Sequence, residues 1–198
     1  MTGSKMRLML RQARRLFGQP PRGLPLAWFL TDDARIPDPL AIAAALPSDV
    51  GVILRDYRRP DRVSLAREMV ALCRAAGRPV LIAGDAALAK NMAADGVHLP
   101  RWAAGPPPLD GDGLVSCAVH DRGELARARR LGADFIIVSP VFETPSHPDA
   151  ASLGRGGLAR LMKGARQPVY ALGGMSPSTL RRLRGLSLAG FAGIDCFL

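Results

Sequence analysis

The sequence predicts an α/β fold, a closed (β/α)8 TIM barrel, and three observations carry that expectation. Short, continuous apolar runs recur along the 198 residues: LAWFL (26–30), VGVIL (50–54), PVLIA (79–83), DGVHL (95–99), GLVSCAV (113–119), DFIIVSP (134–140), PVYAL (168–172) and FAGIDCF (191–197). Unbroken rather than alternating hydrophobicity is the pattern of parallel strands covered on both faces. Segments of helical period separate most of the runs. The Gly-rich phosphate turn of an open dinucleotide-binding sheet is missing, which favours closure.

The elements follow in order. In KMRLMLRQARRLF (5–17), Met6, Met9, Ala13, Leu16 and Phe17 share one helical stripe, with Arg7, Arg11, Arg14 and Arg15 on the other side. Such a face also suits an anionic surface or RNA, but a leading helix of this kind is expected to cap the base of the domain that follows. Residues 1–25 thus read as a basic helix and linker, within one TIM-barrel domain spanning 1–198. The helical segments between runs are SLAREMVALCRAAG, ELARARRLG, GLARLMKGA and PSTLRRLRGL, with a shorter one between residues 83 and 95. AAGPPPLDGDG after the fourth run and LGRGG (153–157) read as loops. AADGVHL, LGADFII and LAGFAGI each read as a helix-to-strand turn, the connection an α/β fold repeats. Leu198 falls at or just after the eighth run, so a short barrel lacking its final helix is expected.

Composition narrows the function. No run of about 18 apolar residues exists, so no membrane span is expected. The basic N-terminus lacks the apolar core of a secretory signal, and a cytoplasmic location follows. Cys73, Cys117 and Cys196 have no metal-ligand spacing and are expected to be buried, reduced thiols. The 27 Lys plus Arg against 17 Asp plus Glu give a formal charge of +10, favouring anionic partners. The arginines are interleaved with acids and alanines and carry few aromatics between them, so solvated helix faces are expected rather than nucleic-acid binding.

A parallel barrel places its site at the carboxyl ends of its strands. Candidates therefore include Arg55, Asp85, His120, the stretch SPVFETPSHP (139–148), and Gly173 with Gly174. The two glycines precede Ser176-Pro177, a good helix start, and their backbone suits a phosphate cup. In an extended segment Thr144 and Ser146 face one side, where they suit an anionic or polar ring substituent. His147 suits proton transfer or a phosphate partner, whereas His98 lies inside a run and is expected in the core.

DGVHLP, HDRGELARARRLGADFIIVSPVFETPSHPDAASLGRGGL and PVYALGGMSPSTL resemble the superfamily of thiamine phosphate synthase and TenI-type thiazole tautomerase. The resemblance covers roughly residues 26–198 and is densest from His120 to Thr179, where the family's GPVFPTPTKP reads SPVFETPSHP and its IGGI reads LGGM. It implies a thiamine-biosynthesis barrel. The synthase joins a pyrimidine methyl diphosphate to a thiazole phosphate with Mg²⁺; the tautomerase shifts a proton on a thiazole carboxylate phosphate. Thr144, Ser146, Gly173 and Gly174 match the family's thiazole-phosphate contacts. The diphosphate half departs from the pattern. Of QLRxK only Arg55 survives, with Ile53 and Tyr57 replacing the glutamine and lysine. IND reads Ile82-Ala83-Gly84, with Asp85 one place later. Ala103 stands in the place of the metal-binding aspartate, Ala118 in that of the serine of SxH, and His147 in that of the last lysine of TxTK.

The tautomerase branch has a histidine immediately before VFET, and here that position is Pro140. His120 or His147 would then carry the proton chemistry. The expected function is thus thiazole phosphate binding with tautomerase-like or reduced synthase-like activity; the alternative is a non-catalytic phosphate-binding or regulatory barrel. Arg55, Thr144, Ser146, Gly173 and Gly174 are the expected binding residues, no protein metal site is expected, and Mg²⁺ would matter only if synthase activity is retained. The expected partners are a small phosphorylated thiazole-like ligand and, at most, further copies of the chain.

Overall fold

A computed structural model describes residues 2–103, 113–144 and 151–198. Eight strands, β1 (Ala27–Leu30), β2 (Val50–Leu54), β3 (Val80–Ala83), β4 (Gly96–Leu99), β5 (Leu114–Val119), β6 (Phe135–Val138), β7 (Val169–Ala171) and β8 (Gly190–Gly193), pair in sequence order into a closed barrel. All pairings are parallel, and β8 returns to β1 with Phe191 opposite Ala27. Every strand position except Leu114 and Ala118 is buried, as expected for strands covered on both faces.

Inward-facing residues form layers. At the foot of the barrel Trp28 stacks on Phe135 at 5.0 Å, and Tyr170 meets both rings edge-on. These rings come from β1, β6 and β7, so the contact crosses the interior. Gly51 makes it possible: a Cβ there would lie 2.5 Å from the Trp28 ring. The Tyr170 hydroxyl donates to the Pro25 carbonyl at 2.6 Å, which satisfies the polar atom that this plug buries. The interior is therefore solid at its foot, and open chemistry is confined to the opposite end.

The outer helices are α1 (Thr2–Phe17), α2 (Pro39–Ala45), α3 (Arg62–Ala75), α4 (Ala86–Asn91), α5 (Arg122–Arg130), α6 (Gly154–Met162) and α7 (Pro177–Arg182). None is long and apolar enough to cross a membrane. Two depart from the sequence expectation. PLAIAAA forms α2, started by Asp38, whose carboxylate accepts the Ala41 N–H at 3.0 Å, with Pro39 in the first turn. LGRGG is no loop from Gly154 onward but the first turn of α6. Leu153 N–H donates to Pro140 O and Gly154 N–H to Val141 O, while Leu158 and Leu161 are buried. Tertiary anchoring outweighs the low helix propensity of the glycines.

The basic leading helix does not cap the base. α1 packs along β8 and α7, running from near Cys196, where the Lys5 charge is felt, to the foot, where Arg14 pairs with Asp49 at 2.9 Å. Gln12 also donates to the Pro177 carbonyl at 2.9 Å. The helix thus covers the flank of β8, which leads into a short 3₁₀ turn, Asp195–Phe197. Phe197 of that turn stacks on Phe191 at 6.0 Å and meets Phe29 edge-on at 5.6 Å. Met6, Met9, Leu10 and Ala13 are buried against this surface, whereas Leu8 stays 46% exposed.

Adjacent residues of α1 should therefore respond differently to truncation. Met9→Ala is expected to lower unfolding stability by about 3 kcal/mol and Leu8→Ala by less than about 0.5 kcal/mol, read from urea denaturation midpoints. Equal effects would contradict this seating of the helix.

Candidate functional site

The mouth is built from the residues leaving each strand, and it divides into three sectors. On the β1, β2 and β8 side the charges are already paired. Asp32 accepts from Arg35 at 2.8 Å and from Arg55 at 3.0 Å, and Arg35 reaches Asp195 at 3.1 Å. Burial acts to raise the Asp32 carboxyl, but the Arg35 hydrogen bond and the charges of Arg35 and Arg55 outweigh it and hold it below the usual carboxylate range. Beneath this network Thr31 donates its hydroxyl to Asp56 and accepts the Arg55 N–H at 2.8 Å. Burial raises the Asp56 carboxyl, with the Thr31 bond opposing it. Arg55 thus sits where the sequence placed it, engaged in an ion pair.

On the β2 to β4 side an aromatic pair closes over the end of β3. Tyr57 and Trp102 meet edge-on at 5.7 Å, and Arg62 lies over the Tyr57 ring at 5.6 Å. Gly84, at φ 70°, lies beneath the Trp102 ring, 2.7 Å from where its Cβ would stand. Asp85 already has protein partners. One oxygen caps α4 by accepting the Leu88 N–H at 2.8 Å, and the other faces Arg62 at 3.5 Å. Position 103 is alanine, and no group of three His, Cys, Asp or Glu able to hold an ion lies among the described residues.

The β5 to β8 side holds the reactive groups. His120 leaves β5, and its Nδ1 lies 2.6 Å from Glu124 Oε2, which also accepts the His120 backbone N–H at 2.8 Å. Its Nε2 lies 3.3 Å from the Ser139 hydroxyl at the end of β6. Arg101 pairs with the other Glu124 oxygen at 3.2 Å. Glu124 was not among the candidates read from the sequence, and Ser139 stood there only as the first residue of the stretch 139–148, with no role of its own; the available signal for Glu124 was its spacing of four from His120, across the start of α5.

Gly173 and Gly174 follow β7 with φ of 100° and 63°. The segment leaving β6 lies directly against them: Val141 N–H donates to Leu172 O and Phe142 N–H to Gly173 O. A Cβ on Gly174 would stand 2.5 Å from the Glu143 carbonyl, so glycine is needed for this approach as well as for the turn. Arg182 of α7 packs over the Phe142 ring at 4.5 Å. Thr144, next to Glu143, is brought to the same edge, whereas Ser146 and His147 lie outside the described residues. The N–H groups of Gly173, Gly174 and Met175, and those of Ile194 and Asp195, donate to no described residue.

His98 lies in the core, as expected, with Nδ1 2.8 Å from Ser116 Oγ. Burial, helped by the Arg55 charge, depresses its pKa to about 3. Cys73, Cys117 and Cys196 are buried free thiols, and burial raises them to about 12, 11 and 12.

The closed parallel sheet with its surrounding helices defines a (β/α)8 barrel, and the candidate groups lie at its carboxyl mouth. The sequence model of the family described as thiamine monophosphate synthase matches residues 29–197. The chain belongs to the thiamine monophosphate synthase family. It is 31% identical over 171 residues to a thiamine-phosphate synthase of Herpetosiphon aurantiacus, covering 81% of this chain and 82% of that one. Against a thiamine-phosphate synthase of Geobacillus kaustophilus it is 32% identical over 146 residues, covering 67% and 66%. The solved thiamine phosphate pyrophosphorylase of Pyrococcus furiosus shares the fold, with a TM-score of 0.71 at 21% identity over 85% of both chains.

The buried His98 gives a pH-dependence with a definite sign. Its folded pKa lies below the unfolded value of about 6.5, so its contribution to stability is complete above that pH and is lost as pH falls toward the folded value of about 3. Between pH 7 and pH 5 the protein should lose about 2 kcal/mol more unfolding stability than a His98→Gln variant. Parallel urea-denaturation profiles for the two proteins would contradict the assignment.

Proposed function

We propose that this chain binds a small phosphorylated heterocycle of the thiazole type on the β6 to β8 side of its mouth and moves a proton on it, a tautomerase-like reaction. The observation that carries this reading is the pair of adjacent turns after β7 and β8, whose N–H groups donate to no described residue. Met175 and Ile194 are largely buried residues, and a backbone N–H with no protein acceptor is free to serve an anionic ligand. A phosphate supplies several anionic oxygens at once, and turns after the last two strands are where this fold holds phosphate. Thr144 beside Gly174 suits a second polar group of the ligand.

His120 supplies the acid–base function. Glu124 fixes its ring from behind, and the other nitrogen is turned to the mouth. The reduced synthase-like alternative draws less support. Departure of a diphosphate needs concentrated positive charge, yet Arg55 is neutralised by Asp32 and Arg62 faces Asp85. A binding or regulatory barrel would share the phosphate site and differ only in turnover.

Titration calorimetry with a thiazole phosphate is expected to show binding that does not require Mg²⁺ and is weakened at least about tenfold by Thr144→Ala. With a thiazole carboxylate phosphate as substrate, His120→Gln should retain binding and lose about 100-fold or more in turnover. Binding without turnover by the unmutated protein would favour the regulatory barrel. No binding would end the proposal.

A further inference from the structure

β5 and β6 are parallel neighbours with Val119 opposite Val138, so His120 and Ser139 form the next lateral pair beyond the ladder. Both continue the inward parity of Ala118 and Ile137 and therefore reach the mouth from adjacent strands. The Ser139 backbone is held in place by its N–H bond to the Val119 carbonyl at 3.1 Å. Its hydroxyl has His120 as its described partner, 3.3 Å from Nε2.

The ring behind that hydroxyl has a defined polarity. An ionised carboxylate accepts hydrogen bonds and donates none, so at 2.6 Å from Glu124 Oε2 the ring hydrogen belongs on Nδ1, leaving the Nε2 lone pair toward Ser139. Glu124 is fixed in turn. Its other oxygen pairs with Arg101 at 3.2 Å, and its own N–H donates to the Asp121 carboxylate at 2.8 Å, the cap of α5. The Glu124 side chain is 12% exposed and the His120 ring 35%, so shielding decreases from the anchor toward the mouth.

We infer that Ser139 is the group that meets the heterocycle, passing a proton between it and His120. This rests on the proton-transfer reading above. In the first step a ring atom of the substrate gives its proton to Ser139 Oγ while the Oγ–H proton moves to His120 Nε2, and the substrate keeps the electron pair of the broken bond. The imidazolium so formed faces the Glu124 carboxylate, which stabilises it. In the second step the transfer runs in reverse to a different atom of the substrate, so serine and histidine finish as they began and no electrons are exchanged. Interposing the hydroxyl accounts for a histidine whose mouth-facing nitrogen is directed at a neighbouring side chain.

Turnover of a thiazole carboxylate phosphate in D₂O, followed by ¹H NMR, tests the relay alongside the ¹⁵N spectrum of the His120 ring in the free protein. Ser139→Ala should lower kcat about 100-fold with KM changed less than about threefold, and Ser139→Thr should recover to within about tenfold of the original rate. The Ser139→Ala/His120→Gln double variant should be no slower than His120→Gln alone, since the two act in series. Undiminished turnover by Ser139→Ala, with His120→Gln inactive, overturns the relay and leaves the proposed function standing; absence of turnover by the unmutated protein ends both. A ring protonated on Nε2 rather than Nδ1 overturns the relay whatever the turnover.

Discussion

The lateral register of the closed parallel sheet is the constraint on which the mouth depends. Pairing Val119 with Val138 puts His120 beside Ser139, and the same β4 to β6 register puts His98 beside Ser116 two inward positions deeper. A slip of one residue would reverse the side of every residue on a strand. The aromatic plug opposes such a slip. Trp28 lies flat on Phe135 above a glycine at position 51, and each ring belongs to a different strand of the ring-closed sheet. Packing at the foot thus fixes the alignment of polar groups at the mouth.

Charge and shape then divide that mouth. The Asp32, Arg35, Arg55 and Asp195 network satisfies its own charges, and Tyr57 with Trp102 closes over the end of β3. The arc from β5 to β8 carries the backbone donors and the His120–Glu124 pair on which the proposed site rests. This arc is tied together by backbone and ring contacts. The loop leaving β6 bonds to Leu172 and Gly173, α6 begins from that loop through Leu153 and Gly154, and Arg182 covers Phe142. Backbone and apolar contacts hold the site there, so few charges are needed to position it.

Much of the fold was legible because unbroken apolar runs and helical periods are local patterns, and all eight predicted runs contain or overlap strands. α2 was missed because seven residues of alanine, leucine and isoleucine between prolines carry little periodicity; its signal was Asp38 before Pro39. The start of α6 was misread because glycine-rich sequence suggests a loop, while bonds to Pro140 and Val141 hold it as helix. The seat of α1 was not legible either. Its apolar stripe announced burial without naming the surface that would bury it.

The site divides in the same way. His120, Thr144, Gly173, Gly174 and Arg55 were proposed from their places after apolar runs, but the Asp32 partner of Arg55 lies 23 residues away in sequence. Asp85 read as a substitute ligand, and its carboxylate caps α4 and faces Arg62. The sequence by itself determined the barrel, the strand ends and the residue types offered there, because hydrophobic period and turn chemistry are short-range properties. Only the tertiary structure decided which charges cancel, that His120 stands between Glu124 and Ser139, and that α1 covers β8, because those relations depend on strand register and on distances between segments remote in the chain.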